Sequence, residues 1–237
     1  VPVSFEPLLS AVRQNHPDAE RAQKFIAAGH RSNGLRPSIE TTVHALMPQR
    51  VVVHVHCVNT IAWAIRQHGE KLLAEKLAGF DWAYIPYARP GLPLAGAISE
   101  RLRPGVDVLV LGNHGLVVAA DTVEEAGALL DKVVSVLRRP ARAAAPVDRA
   151  AIAKALAGTA YVPAASDETH ALATDALALQ LGATSVFYPD HVVFLGVGVA
   201  TSFASNAPLV AMPGLGVAIR NDAKPAIEPM GRCLADV

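Results

Sequence analysis

Cysteine is scarce in this sequence of 237 residues: only Cys57 and Cys233 occur, and their spacing makes neither a disulfide framework nor a CxxC pair. That excludes a disulfide-stapled scaffold and suits a reducing cytoplasm. An excess of one charge is also lacking, since Lys+Arg and Asp+Glu both number 21. Without a global field to recruit nucleic acid or an anionic membrane, a small-molecule partner fits better. No apolar run approaches the ~20 residues that span a bilayer, and no secretory signal opens the chain. The first residue is Val1 rather than methionine, so residues upstream are expected.

What is present favours a buried core. Hydrophobic residues make up 51% and charged ones 18%, and at this length roughly 70–75% of the unfolded surface is hidden on folding. Helical spacing of Phe5, Leu8, Leu9 and Val12 opens the chain, and a second helical stretch runs from Pro17 to Gly29. After a loop over 31–37, a short helix is expected from Ser38, its N-cap, to Leu46. The β-branched run from Arg50 to His56 predicts a buried strand. A helix from Asn59 to His68 stopped by Gly69, another over 71–78, a strand over 82–85 and a helix over 94–102 follow.

Strands over 106–111 and 116–119 bracket Gly112-Asn113-His114-Gly115. The clearest helix comes next, capped by Asp121 with Glu124 three residues on, and striped by Ala126, Leu129, Leu130, Val133, Val134 and Leu137. The Ala-, Pro- and Arg-rich segment 140–148 reads as a linker. Beyond it, helices over 149–156 and 168–181 alternate with strands over 185–188, 192–195 and 216–219. Strands alternating with helices throughout argue for an α/β layered fold.

The residues that carry chemistry are histidines. His54 and His56 lie two apart on one strand, so both side chains leave from the same face, a standard arrangement for holding zinc. The pair also fits two buried histidines satisfied by hydrogen bonds. His114, in a small polar turn with glycines that permit close backbone approach, could complete a three-histidine site with an open fourth position. Glu40, in the first turn of the preceding helix, is placed either to join the metal or simply to answer the helix dipole. Cys57 faces away from His56 across the strand. His44 lies one helical turn after Glu40, as a candidate neighbour of the site or a packed helix histidine. Asp190-His191 follows an ordinary turn proline, and Gly196-x-Gly198 and Gly214-x-Gly216 read as turns because neither opens a βαβ helix.

Pro37-Ser-x-Glu-x-x-x-His44, then His54-Val55-His56, then Gly112-Asn-His-Gly-Leu116, with Ile85 to Gly96 between them, resemble the class II aldolase/adducin superfamily. Tyr188 to Gly196 resembles a C-terminal extension of longer members. The resemblance implies a class II aldolase-like sheet flanked by helices over 1–139, lacking its N-terminal part, and an α/β extension over 148–237. It implies His54, His56, His114 and Glu40 as ligands of Zn²⁺, or of Mn²⁺, Co²⁺ or Fe²⁺, with Glu40 also the acid/base and Ser38 a substrate contact. Ile39 stands where the sugar-phosphate aldolases carry a second serine, and no Gly-Asn phosphate loop precedes Glu40. That loop lies upstream of Val1, or the substrate is not a typical phosphate ester. The implied activity is reversible retro-aldol cleavage of a sugar or sugar-phosphate ketose by a homo-oligomer, a tetramer in most members. An epimerase, a dehydratase and a non-catalytic adducin-like scaffold are the alternatives.

Overall fold

Four strands form the sheet that carries the histidines. They are β1 (Val51–Val55), β2 (Trp82–Ile85), β3 (Val108–Leu111) and β4 (Gly115–Ala120), in the order β1-β4-β3-β2. The computed structural model describes residues 1–30, 34–140 and 144–237, so the expected loop at 31–37 and linker at 140–148 lie partly outside the described residues. The β1–β4 and β4–β3 pairs are antiparallel, and β3–β2 is parallel. Every residue of β3 is buried, as is β4 up to Ala119, because helices cover both faces of the sheet.

On one face Ile85, Leu109, Leu111, Val117 and Ala119 pack with Val43 of α2 (Thr41–Leu46) and with Leu94 and Ile98 of α5 (Leu92–Arg101). On the other, Val108, Val110, Leu116 and Val118 pack with Ala64 of α3 (Val58–Ala64), Leu73 of α4 (Gly69–Lys76), and Val133 and Leu137 of α6 (Val123–Leu137). The helix α1 (Phe5–Arg13) contacts α2 and α5. Val52 packs on the α2/α5 side and Val53 and Val55 on the other. Strand alternation therefore turns His54, like Val52, toward α2.

Several boundaries differ from the sequence reading for local reasons. The α2 helix begins at Thr41, not Ser38, because the Ser38 hydroxyl accepts from Glu40 N at 3.2 Å and closes a turn before the helix. Thr122, not Asp121, caps α6 through a reciprocal box with Glu125. Gly69 opens α4 rather than ending α3; a Cβ there would lie 2.7 Å from the Trp63 carbonyl oxygen. The stretch from Pro17 forms two 3₁₀ turns, Pro17–Glu20 and Ala22–Phe25, instead of one helix.

Residues Val1–Arg138 and Arg139–Val237 form separate compact units. The second holds an antiparallel sheet of β5 (Tyr161–Pro163), β7 (Gly216–Arg220) and β6 (Leu209–Met212), in that order. It also holds α7 (Arg149–Leu156), α8 (Asp167–Thr174), α9 (Ala176–Thr184) and α10 (Ile227–Asp236). The helix expected over 168–181 breaks at Asp175, whose extended backbone and side chain, accepting from Leu177 N and Ala178 N, start α9 afresh. The expected strand at 192–195 is a π-helical turn, His191–Leu195, packed on α10, and 185–188 forms no strand. The turn buries His191 and Leu195 and leaves Val192 and Val193 exposed, a helical rather than an alternating pattern, which overrides the β propensity of the two valines. No helix of the described residues is long and apolar enough to cross a membrane.

His170 ties this unit together. It is fully buried, its Nδ1 accepting from Val217 N at 2.9 Å and its Nε2 donating to the Ala164 carbonyl at 3.1 Å. That pairing needs the neutral ring. Burial depresses its pKa, with Arg149 in the same direction and the Ala164 carbonyl, Asp167 and Glu228 opposing. The unfolded chain thus takes up a proton near pH ~6.5 that the folded chain refuses. Stability from His170 is full above that pH and is lost as pH falls below it. His170→Leu should leave Val217 N–H unpaired, cost about 1–3 kcal/mol and flatten the acid dependence, as measured by urea unfolding at pH 7.5 and 5.5.

Candidate metal centre

Three elements deliver the four candidate ligands. His54 sits on β1 opposite Val117, His56 just beyond the strand end, His114 in the β3–β4 hairpin, and Glu40 at the residue preceding α2. Leu111 pairs with Gly115 across the hairpin, leaving three loop residues, and Asn113 takes the left-handed conformation at φ 52°. That loop swings His114 back over the sheet, where its side chain is 2% exposed.

The three imidazoles form a nearly equilateral triangle, with ring centroids 5.0, 5.0 and 5.1 Å apart. Glu40 Oε1 lies 2.8 Å from His114 Nε2, 3.3 Å from His54 Nε2 and 4.0 Å from His56 Nε2. His54 Nδ1, 3.1 Å from the Leu116 carbonyl, donates to it, because a carbonyl oxygen only accepts. With Nδ1 engaged in this way, Nε2 is left facing the cluster, the orientation that second partners give metal-binding histidines. The His54 side chain is 6% exposed, against 24% for His56 and 23% for Glu40. The cluster therefore opens to solvent on the His56 and Glu40 side. The His114 ring first, and the His54 ring second, hold the Glu40 carboxyl well below the usual carboxylate range despite its burial.

Gly115 makes this crowding possible. A Cβ there would lie 2.6 Å from the Val55 carbonyl oxygen, 3.1 Å from the His56 ring and 3.2 Å from the His54 ring. Gly115→Ala should push β1 from β4 and spread the histidines, costing about 1–3 kcal/mol in denaturant unfolding together with weaker metal binding. Gly112 is also closely packed: its Cβ would lie 3.1 Å from Tyr87 N and 3.2 Å from the Ile85 carbonyl oxygen. The sequence reading anticipated glycines that allow close approach; it missed that the neighbour being accommodated is the histidine pair itself.

The donor set suits a divalent first-row ion. One ligand atom from each of Glu40, His54, His56 and His114 lies within 4.8 Å of every other. Metal–nitrogen bonds of ~2.0–2.1 Å place two ligands of one ion at most about 4.2 Å apart. Small side-chain rotations close that gap. His114 Nε2 would exchange its contact with Glu40 for the ion, so that binding releases a proton if that nitrogen carries one.

Other flagged residues fall outside the cluster. His44 bonds the main chain of Val52, and burial depresses its pKa. Ser38 is exposed with its hydroxyl turned to Glu40 N. Cys57 precedes α3, half-buried among the side chains beneath the opposite face of the sheet. His191 is buried in the second unit. Gly214 lies in the β6–β7 turn and Gly216 opens β7, and Gly196 and Gly198 also have positive φ.

Residues 12–139 match the family of class II aldolase and adducin N-terminal domains. The chain belongs to that family. Within it, class II aldolases typically use a divalent metal, and the Glu40–histidine group here could hold one. The N-terminal class II aldolase domain of a conserved protein from Thermoplasma acidophilum is similar in structure, with a TM-score of 0.50 and 25% identity over 57% of this chain and 63% of that one. An uncharacterized oxidoreductase of Bacillus subtilis, YuxG, is 28% identical over 195 residues, or 79% of this chain. The chain spans only 27% of that relative's length.

Proposed function

We propose that the chain is a metal-dependent aldolase cleaving a sugar or sugar-phosphate ketose into an enediolate donor and an aldehyde. The observation that carries this reading is one carboxylate oxygen, Glu40 Oε1, facing three imidazole nitrogens at the open side of a buried cluster. His54, His56, His114 and Glu40 would hold the ion, Zn²⁺ foremost, and the unit Val1–Arg138 would be catalytic. A divalent ion, when bound, supplies an electrophile for the substrate carbonyl oxygen and a counter-charge for the negative charge that develops there.

The protein's own groups account for the proton transfers. In cleavage, the hydroxyl beyond the scissile bond would pass its proton to the Glu40 carboxylate, the carbon–carbon bond breaks with release of the aldehyde, and its electron pair passes to the carbonyl, leaving an enediolate. Glu40 then delivers a proton to the enediolate carbon; in the reverse direction it removes one from the donor ketone. While the histidine rings hold it, Glu40 is a weak base, and an ion that took their place would keep it so. Substrate oxygens that displaced Glu40 from the ion would raise its basicity toward the range useful for proton transfer. The exposed Ser38, in the same turn, is the proposed substrate contact.

Incubation with dihydroxyacetone phosphate in deuterated water tests the reading. The expected results are deuterium in the donor, and carbon–carbon bond formation once an aldehyde is added. Interconversion of stereoisomers or loss of water without aldehyde uptake would point instead to an epimerase or dehydratase. Neither exchange nor metal retention would favour an adducin-like scaffold.

A further inference from the structure

The metal centre is braced from a part of the chain that contributes no ligand. The turn Pro17–Glu20 is anchored by Ala19, which is buried with Val12 and Ala95 and flanked by Leu46 at the end of α2 and Leu92 at the start of α5. From this turn, Glu20 Oε1 accepts from Arg89 Nη2 at 2.5 Å and from Leu92 N at 3.1 Å. It thereby fixes the segment between β2 and α5 at both ends of Pro90–Gly91.

Gly91 has φ 104°, a conformation that favours glycine. A Cβ on Gly91 would lie 2.9 Å from Glu20 Oε1 and 3.2 Å from Ile39 Cδ1. The Ile39 side chain thus rests on the Gly91 backbone, and the next residue in the chain is Glu40. The Arg89 and Glu20 side chains are 59% and 29% exposed. An ion pair that open contributes little to stability, so its geometric role is the more informative one.

We propose that Glu20 is a positioning residue for the metal centre, acting through Gly91 and Ile39 to set where the Glu40 carboxylate sits. The inference rests on the reading of Glu40 as a ligand. With Glu20 truncated, the 86–91 segment keeps the main-chain bonds from Leu94 N to the Arg89 carbonyl and from Ala95 N to the Gly91 carbonyl but loses its side-chain tether; Gly91 shifts, Ile39 loses its seat, and Glu40 samples positions away from the three rings. The histidines, held by β1 and the hairpin, stay in place.

Co²⁺ affinity of the full chain, measured by chelator competition, tests this with Glu20→Ala, Glu40→Ala and the double variant. Glu20→Ala should weaken Co²⁺ binding roughly tenfold, as losses behind a ligand do, with the thermal midpoint little changed. In the Glu40→Ala background the same truncation should change nothing further. Ile39→Ala, which leaves the ion pair intact, should produce a loss of the same kind and serves if Glu20→Ala folds poorly. Wild-type affinity in Glu20→Ala beside a weakened Glu40→Ala would overturn the proposal and leave the ligand assignment standing. A Glu20 effect that persists without Glu40 would also overturn it, by routing the effect through the histidines or the fold. Unchanged affinity in Glu40→Ala would remove the ligand assignment itself, and the role of Glu20 with it.

Discussion

Glu40→Gln should bind metal and lose proton transfer. The amide preserves the shape of the side chain and an oxygen that can face the ion, but it has no useful basicity at neutral pH. General acid–base groups contribute typically 10²–10⁴-fold, so deuterium exchange into dihydroxyacetone phosphate should fall by about that factor. Metal content by elemental analysis should stay near one ion per chain. Undiminished exchange would take the acid/base role away from Glu40. Loss of metal alongside activity would show that the carboxylate charge matters chiefly for holding the ion.

His114→Ala should have a larger effect, on binding and activity together. The ring is buried and lies 2.8 Å from Glu40, with the other two centroids 5.0 and 5.1 Å away. Its removal deletes one corner of the triangle and the strongest contact on Glu40. Two imidazoles and a carboxylate remain, three candidate ligands in place of four, and the carboxylate has lost the shortest contact that holds it at the cluster. Metal affinity should drop at least ~100-fold, and activity should vanish at micromolar metal. Folding should persist, because the core of the sheet is supplied by β3 and β4 rather than by this loop. Titration of the metal-free variant with Zn²⁺ and a competing chelator reads the affinity. An unchanged constant would leave His114 as a hairpin histidine.

The sequence foreshadowed the parts of the molecule where local pattern and final environment agree. β2 and α7 match their expected limits residue for residue, and β1 fills the β-branched run. Periodicity succeeded in α6 because its stripe of Ala126, Val133 and Leu137 is the buried face. It misled at 192–195, where two valines in a strand-like run are wound into a π turn against α10. It also missed β5, whose pairing partner β7 lies far along the chain, and β6, which pairs with β7 across a short turn.

The candidate ligands could be named from short motifs because each sits in a distinctive local setting. How they are supported could not. The Leu116 carbonyl that orients His54 is 62 residues from it, and Glu20 reaches Arg89 across 69. Such contacts are products of tertiary packing, and Glu20 does not differ in local sequence from an ordinary surface acid. The local hint at the hairpin was its pair of glycines, read as allowing close backbone approach; Asn113 between them takes the left-handed conformation, which that residue type tolerates.

X-ray absorption of the metal-loaded protein tests the cluster most directly. Zinc or cobalt bound as described should show a first shell of nitrogen and oxygen only, near ~2.0–2.1 Å, with the outer-shell pattern of three imidazoles. A sulfur shell near ~2.3 Å, or scattering from fewer than three imidazoles, would contradict a centre built from His54, His56, His114 and Glu40.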